Sequence, residues 1–462
     1  MADSEFGGRR GSAPQRPPGG PGRLLARARS PMDAEIVRLA VPAFGALVAE
    51  PLFLLADAAI VGRLGTVPLG GLGVASQALT TLTGMSIFLA YGTTAAVARQ
   101  LGAGRREAAI RHGIDGLWLA AAIGVLVLAA GWPLAPQIVG AFGGTAAVSL
   151  QAVTYLRISL LGAPAMLVVL AGTGVLRGLQ DTRTPLLVAV AANGVNIALN
   201  ATFVLGLHFG IAGSAWGTLA AQAGAGAAYL TVVARGARRA GIGLRPDRRG
   251  VTTAALAGAS LVLRTIALQA VLVLMTAIAA RQSDAAIAAS QVAMRVWSLF
   301  VYALDAIAIA AQAITGRYLG AGDAAGAKAA TRRMTGWGAA YGVLFSAILL
   351  LLRPALPGLF GVTPGVRSLL LPVLLVIIVQ QPVAGVVFVL DGVLIGAGDQ
   401  DYLALAGLAT LAVFCGAAAL VVRADAGLVA LWLAYAAWML ARFITLTLRG
   451  RTSRWLVTGA VR

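Results

Sequence analysis

Two carboxylates, Glu50 and Asp57, stand seven residues apart in a run otherwise built mainly of Leu, Ala, Val and Phe. On a helix that spacing puts both on nearly one face, about 10 Å apart along the axis. If the run crosses a membrane, a carboxylate near its centre costs roughly 2.5–3.5 kcal/mol, so function is the expected reason for keeping it. A carboxyl group withdrawn from water can hold a proton at rest and release it once wetted, which is what a proton-coupled carrier needs. Pro42 precedes the pair and Pro51 lies between its members, and each removes a backbone hydrogen bond, so the segment is expected to bend around its acids.

Other polar groups sit in apolar surroundings. Asn193, Asn196 and Asn200 fall at i, i+3 and i+7, a polar stripe on one helix face. Three carboxamides facing lipid would be costly, so the stripe must face protein, either as hydrogen-bonding glue between helices or as part of a site. In the second half, Asp305 and Asp391 are the acids deep in apolar runs, and Gln312 shares the face of Asp305 one heptad on. A buried carboxylate with Met and aromatic neighbours suits a lipophilic cation. Trp297 and Phe300 are candidate walls, although a Trp near a helix end is expected first as an interfacial anchor. Arg264, Arg295 and Arg442 are expected near helix ends, snorkelling to water. Asp181, Arg183, Asp399 and Asp401 are expected to shape turns or form exposed pairs.

Several chemistries are excluded. Lys328 is the single lysine and follows Ala327, so there is no Gly-Lys of a phosphate-binding loop. Cys415 stands alone, which allows neither a disulfide framework nor a cysteine metal cluster. His112 and His208 are the only histidines, so a Ser–His dyad in the second half cannot form, and an aspartate-rich prenyltransferase motif is absent. No catalytic residues, resident metal or cofactor are expected.

The elements that must position these groups follow from composition. The chain has 462 residues, 59% hydrophobic and only 11% charged, where a soluble domain carries about 25% charged residues. It is expected to be an all-α integral membrane protein. Stretches long enough to span about 30 Å of hydrocarbon recur at 36–60, 69–98, 113–132, 150–178, 186–207 and 212–234, then at 251–279, 285–315, 336–352, 367–396, 402–422 and 427–448. These make twelve spans in two sets of six: a first lobe at 32–235 and a second at 251–449, joined by a basic linker at 236–250. Residues 1–31, rich in Pro, Gly and Arg and without an apolar core, read as a disordered cytoplasmic tail rather than a signal peptide. Residues 450–462 form a second cytoplasmic tail.

The net charge of +19 sits in alternate loops: Arg99, Arg105, Arg106 and Arg111; the linker; and Arg317, Lys328, Arg332 and Arg333. Basic inner loops are a topology signal, not a nucleic-acid one, and place both termini and the linker in the cytoplasm of a multi-pass inner-membrane protein. The halves also repeat. RQLGAG at Arg99–Gly104 matches RYLGAG at Arg317–Gly322, and GVLRGLQD at Gly174–Asp181 matches GVLIGAGD at Gly392–Asp399, both 218 positions apart. A duplicated six-span unit inserts both copies the same way, giving pseudo-symmetric lobes around a central cavity whose access can alternate.

PLFLLADAAIVGRLG in the first span, LGAG after the second, RGLQDTRTP and NGVNIALN around the fifth, LDAIAIAAQAITGRYLGAG in the eighth and VLDGVLIGAGD in the tenth closely resemble the multidrug and toxic compound extrusion (MATE) family, in its DinF branch. The likeness covers the chain after residue 32. It implies a secondary antiporter exporting drug-like, mostly lipophilic cationic compounds in exchange for H⁺ or Na⁺, with no partner but its substrates and the lipid bilayer, expected as a monomer. It further implies a cation or proton site of Asp57 with Tyr155, Asn196, Asn200 and Thr218, Glu50 nearby, and a bend of the first span hinged at Pro42. Asp305, Asp391 and Gln312 are the expected substrate contacts. The sequence departs from the pattern at Arg63, where His is frequent, and at Asn200 and Gln312, where acids are frequent. The last two substitutions each remove a carboxylate, so H⁺ is the expected coupling ion, with Na⁺ as the alternative. The rival readings are a lipid-linked precursor flippase, expected to show a basic cavity, an intramembrane enzyme and a channel.

Overall fold

The computed structural model describes residues 31–460, so all of the expected N-terminal tail but Pro31 lies outside the described residues. The first lobe comprises α1 (Pro31–Gly62), α2 (Thr66–Ser86), α3 (Phe88–Gly102), α4 (Arg106–Phe142), α5 (Ala146–Leu161), α6 (Ala163–Gly178), α7 (Arg183–Ala201) and α8 (Gly210–Arg239). A π-helical turn at Thr202–Gly206 extends α7. The second comprises α9 (Arg248–Gln282), α10 (Asp284–Gly320), α11 (Ala324–Leu352), the single turn α12 (Leu356–Leu359), α13 (Pro364–Gly396), α14 (Gln400–Arg423) and α15 (Leu428–Arg451). There is no strand among the described residues.

Ten of these segments, counting α2 with α3, are long and apolar enough to cross a membrane, and the pair α5–α6 makes eleven. The remaining expected span, the sixth at 212–234, is α8, 30 residues whose Gly, Ala and Gln make it less apolar. The fourth expected span, 150–178, is two helices meeting at 55°, because Gly162 ends one and Pro164 starts the next. The ninth begins at Ala324 rather than near 336: Asp323 caps it by accepting from Gly326 N at 2.7 Å, and its polar first turns hide from a hydropathy reading. The linker is shorter than 236–250, since α8 continues to Arg239 and α9 restarts at Arg248. It is pinned to α4, with Asp115 Oδ1 accepting from Asp247 N at 2.9 Å and Trp118 Nε1 donating to Leu244 O at 2.9 Å.

The duplication survives in backbone detail. Gly104 and Gly322, 218 positions apart, both take positive φ (73° and 80°), as do their counterparts Gln180 and Gly398 (66° and 69°). Gln180 holds a conformation that a side chain disfavours, and its Nε2 donates to Ala313 O across the lobes at 3.0 Å.

The lobes join mainly through α10, which packs against α1 and α3. At the end of the bundle that carries the termini the contact is tight and reciprocal. A Cβ on Gly102 would overlap the Arg317 carbonyl, and one on Gly320 would overlap the Arg99 carbonyl. Ion pairs flank this seam: Arg317 to Glu35 at 2.7 Å, and Arg333 to Asp33 through two bonds of 2.6 Å, with Trp337 Nε1 donating to Asp33 Oδ1 at 2.9 Å. The second lobe has one large core around α10, α13 and α15, while the first has two smaller ones, the second of them around Leu72, Tyr155 and Ile211.

Candidate functional site

Asp57 lies five residues from the end of α1, in the half of the bundle away from the termini, and is 1% exposed. Its Oδ1 accepts from Ser214 Oγ at 2.6 Å and from Asn200 Nδ2 at 2.8 Å, and its Oδ2 accepts from Tyr155 OH at 3.4 Å. Tyr155 OH lies 3.5 Å from Thr218 Oγ1, which accepts from Asn196 Nδ2 at 3.3 Å. Three helices of the first lobe therefore converge on one carboxylate: α5 with Tyr155, α7 with Asn196 and Asn200, and α8 with Ser214 and Thr218. Close approach is possible because α8 is thin here. A Cβ on Gly217 would strike the Asn200 amide. The buried Oδ1 atoms of Asn196 and Asn200 have no hydrogen-bond donor, so the cluster keeps two acceptor oxygens in reserve beside its acid.

The five residues expected at this site, Asp57, Tyr155, Asn196, Asn200 and Thr218, are thus brought together. Ser214 was not anticipated, yet it stands four residues before Thr218 on the same face of α8, a spacing that could have found it. Glu50 is not brought in. It is exposed and makes no hydrogen bond to the cluster; two turns of helix separate it from Asp57. Asn193 is glue, donating to Ala49 O at 3.0 Å. Helix α1 is continuous through Pro42 and Pro51, so any bend hinged there occurs within one helix and not at a break between two.

A second polar centre lies between the lobes, in a cavity of about 380 Å³. Asp305, Asp391 and Gln312, the expected substrate contacts, all line it, together with Tyr91 from α3 and the aromatic rings of Trp297, Phe388, Tyr435 and Trp438. Gln312 is 2% exposed and its Oε1 has no donor. Two expectations fail here. Arg264 and Arg442 do not snorkel: each is 7% exposed and lines the cavity. Arg264 lies near the middle of α9, too far from either end for its side chain to reach water, and pairs with both oxygens of Asp391. Arg442 is 3.7 Å from Asp391 and lies over the rings of Trp438 (5.1 Å) and Phe388 (5.9 Å). Nor is Trp297 an interfacial anchor, being 4% exposed and edge-on to Tyr435 at 5.8 Å. Phe300 packs instead against Phe345, with the rings tilted at 42°, outside the cavity lining. Arg295 is exposed, as snorkelling requires.

The deep charges of the cavity are therefore mixed rather than acidic, and cavity charge by itself does not separate a drug carrier from a lipid-linked flippase. Asp305 is the one cavity carboxylate outside any ion pair among the described residues. In the turns, Asp181 accepts from Arg183 N and Thr184 N, both at 3.0 Å. Asp399 holds Arg449 (2.6 and 3.0 Å), and Asp401 accepts from Ser260 Oγ at 2.6 Å. Asp181 shapes its turn as expected, whereas the Asp399–Arg449 pair is largely buried rather than exposed. Among the described residues no group of acids, histidines and cysteines could hold a metal ion.

A duplicated all-helical membrane bundle, with a sealed acid in one lobe and a polar cavity between the two, is the build of a secondary transporter. The family comparison agrees with this class: the MatE family model matches residues 42–202 and again 255–416, one copy in each lobe. The chain belongs to the MatE family of multidrug and toxic compound extrusion transporters. It is 31% identical over 371 residues to DNA damage-inducible protein F of Escherichia coli K12, covering 79% of this chain and 81% of that one. It is 29% identical to the chloroplastic protein DETOXIFICATION 44 of Arabidopsis thaliana, covering 80% and 73%. Among solved structures it is similar to a MATE transporter in a bent conformation, with TM-score 0.83, 22% identity and coverage of 94% and 97%. It is likewise similar to a transporter of the MOP superfamily from Pyrococcus furiosus, with TM-score 0.82, 22% identity and coverage of 92% and 96%.

Proposed function

We propose that this transporter exports organic compounds in exchange for protons taken up at Asp57, across a plasma membrane with the terminal end of the bundle in the cytoplasm. The observation that carries the reading is the sealing of one carboxylate by hydroxyl and amide donors alone. With no basic side chain in its hydrogen-bonded set, a change in the protonation of Asp57 changes the charge of the whole cluster, and Ser214, Tyr155 and Asn200 must rearrange around it. Such a rearrangement joins α1, α5, α7 and α8, which is how one proton could move a lobe. The arginine-rich loops at the terminal end support its cytoplasmic placement.

For the substrate, Asp305 supports a cationic group, since Asp391 is already neutralised by Arg264. The aromatic walls support an apolar body. Uptake of a fluorescent cation into everted vesicles, driven first by a pH gradient and then by a sodium gradient, tests the reading. Uptake driven by sodium at clamped pH with no response to the pH gradient would overturn proton coupling.

One observation favours sodium as the second reading. The free Oδ1 atoms of Asn196 and Asn200, with Asp57, Tyr155, Ser214 and Thr218, form an oxygen-rich set of the kind a hard cation takes. Against it, the set contains a single negative charge, and one charge offsets ion dehydration poorly in a dry site.

A further inference from the structure

The chain beyond α15, expected to be a cytoplasmic tail, is packed into the protein as far as it is described, to Ala460. Trp455 is 1% exposed and donates through Nε1 to Gly450 O at 3.1 Å, folding the chain back under the end of α15. The root of this turn is fixed by the Arg449–Asp399 ion pair to the second lobe. From there the segment crosses the seam. Gly459 N donates to Leu319 O at the end of α10 at 2.9 Å. Arg99, at the end of α3 in the first lobe, is 3% exposed and reaches three carbonyls. Its Nε donates to Gly459 O at 3.2 Å, its Nη1 to Ala397 O of the second lobe at 2.7 Å, and its Nη2 to Val457 O. Ala460 also helps to wall a separate cavity of about 200 Å³ between α3, α4 and α9.

The repeat makes this arrangement informative. Arg317, the counterpart of Arg99, also works across the seam, but it holds the Glu35 carboxylate of α1 and is a third exposed. The start of the described chain thus fastens one symmetry-related arginine, and the end of the chain fastens the other.

We propose that Thr452–Ala460 is a latch holding the two lobes shut at the terminal end, and that opening at this end requires the segment to leave Arg99. Separating α3 from α10 and α13 must break the Arg99–Ala397 bond together with both Arg99 bonds to the segment. Because the segment is continuous with α15 and anchored at Trp455, it can peel from Val457 onward while the rest of the lobe stays folded. The proposal concerns a conformational balance and does not depend on which ion or compound is carried.

The test uses the full chain in lipid nanodiscs with Cys415→Ser and spin labels at Glu107→Cys and Ala325→Cys. These exposed positions in the first turns of α4 and α11 are repeat counterparts in opposite lobes. Pulsed electron resonance reads the distance between them without any transport step. One variant ends the chain after Leu456, keeping Trp455 and the Arg449–Asp399 pair; a second is Arg99→Gln in the full chain. Each is expected to raise the ratio of long-distance to short-distance population about tenfold, as loss of a few hydrogen bonds of ordinary net strength would give. An unchanged distance distribution in the truncated chain, eluting as a single folded species, would overturn the latch even if Arg99→Gln failed to fold. Loss of vesicle transport with an unchanged distance distribution would equally count against it.

Discussion

At the scale of single residues, the site is organised around groups that cannot be exchanged one for one. Asp57→Asn keeps the size of the side chain, and its carbonyl oxygen can still accept from Ser214 and Asn200 with the NH₂ turned toward the Tyr155 hydroxyl, but it cannot take up a proton. Coupled export is expected to fall to background in everted vesicles while insertion and folding persist; wild-type export against a gradient would remove Asp57 from coupling. Ser214→Ala deletes the 2.6 Å donor without touching the acid, and should leave transport coupled but slower, by roughly ten- to a hundredfold for a hydrogen bond of about 1.5–3 kcal/mol to a charged acceptor. The cavity pair Arg264–Asp391 is a different case. Removing either partner leaves a buried charge uncompensated, at a cost of about 3–5 kcal/mol. Asp391→Asn is therefore expected to lower thermal stability in detergent well beyond Asp305→Asn, whose carboxylate has no ion pair to lose. Asp305→Asn should instead change the affinity for cationic substrates, read by binding of a fluorescent cation to the purified protein. Equal melting temperatures for the two variants would refute the distinction.

At the scale of elements, legibility followed the strength of the local signal. Asp57 and the asparagines were readable because an acid and a run of asparagines at helical spacing stand out in an apolar sequence, whereas Tyr155 and Thr218 were placed beside them only by the family resemblance. Ser214 was not readable, because a serine in a Gly- and Ala-rich helix looks like packing. Arg264 and Arg442 were misread for the opposite reason: arginine in a span is so often an end residue that the ordinary explanation hid a buried cluster, and only the pairing of α9 with α13 and α15 reveals it. The bend at Gly162 and the early start of α11 escaped because hydropathy sees apolar length, not capping or direction. One element-level expectation follows from the repeat. Gln180 occupies at φ 66° the place that Gly398 holds in the second lobe. Gln180→Gly should relieve about 1 kcal/mol of backbone strain while losing the bond to Ala313, so the melting temperature should change little. The spin-label distance between positions 107 and 325 should broaden, and an unchanged distribution would mean that the Gln180 bond does not hold the seam.

At the scale of the whole molecule, the proposed function makes the coupling ion depend on the charge of one lobe rather than on the cavity between the two. Asn200→Asp would place a second carboxylate beside Asp57 and is expected to strengthen any sodium response at clamped pH. Failure to do so, with export intact, would show that the cluster does not serve as an ion site. The whole-molecule frame also explains what could be foreseen: the number of spans and their division into two sets are properties of long stretches, and the duplication shows in two short motifs repeated at one offset. The seam was invisible in the sequence, because reciprocal contact between Gly102 and Gly320 is a property of two chain segments more than two hundred residues apart.

That contact has a consequence for ancestry. The two glycines occupy one position of the repeated unit, and each receives the carbonyl of the other unit's arginine. A surface patch that meets its own copy about a two-fold axis is what a symmetric homodimer displays. A free-standing six-span polypeptide carrying this patch would already have been able to pair with itself, with the axis along the membrane normal, before any fusion joined the copies. In such a dimer every substitution at the seam would have been felt twice. In one continuous chain each glycine, each arginine and each end can vary alone, and Arg99 and Arg317 do hold unequal partners.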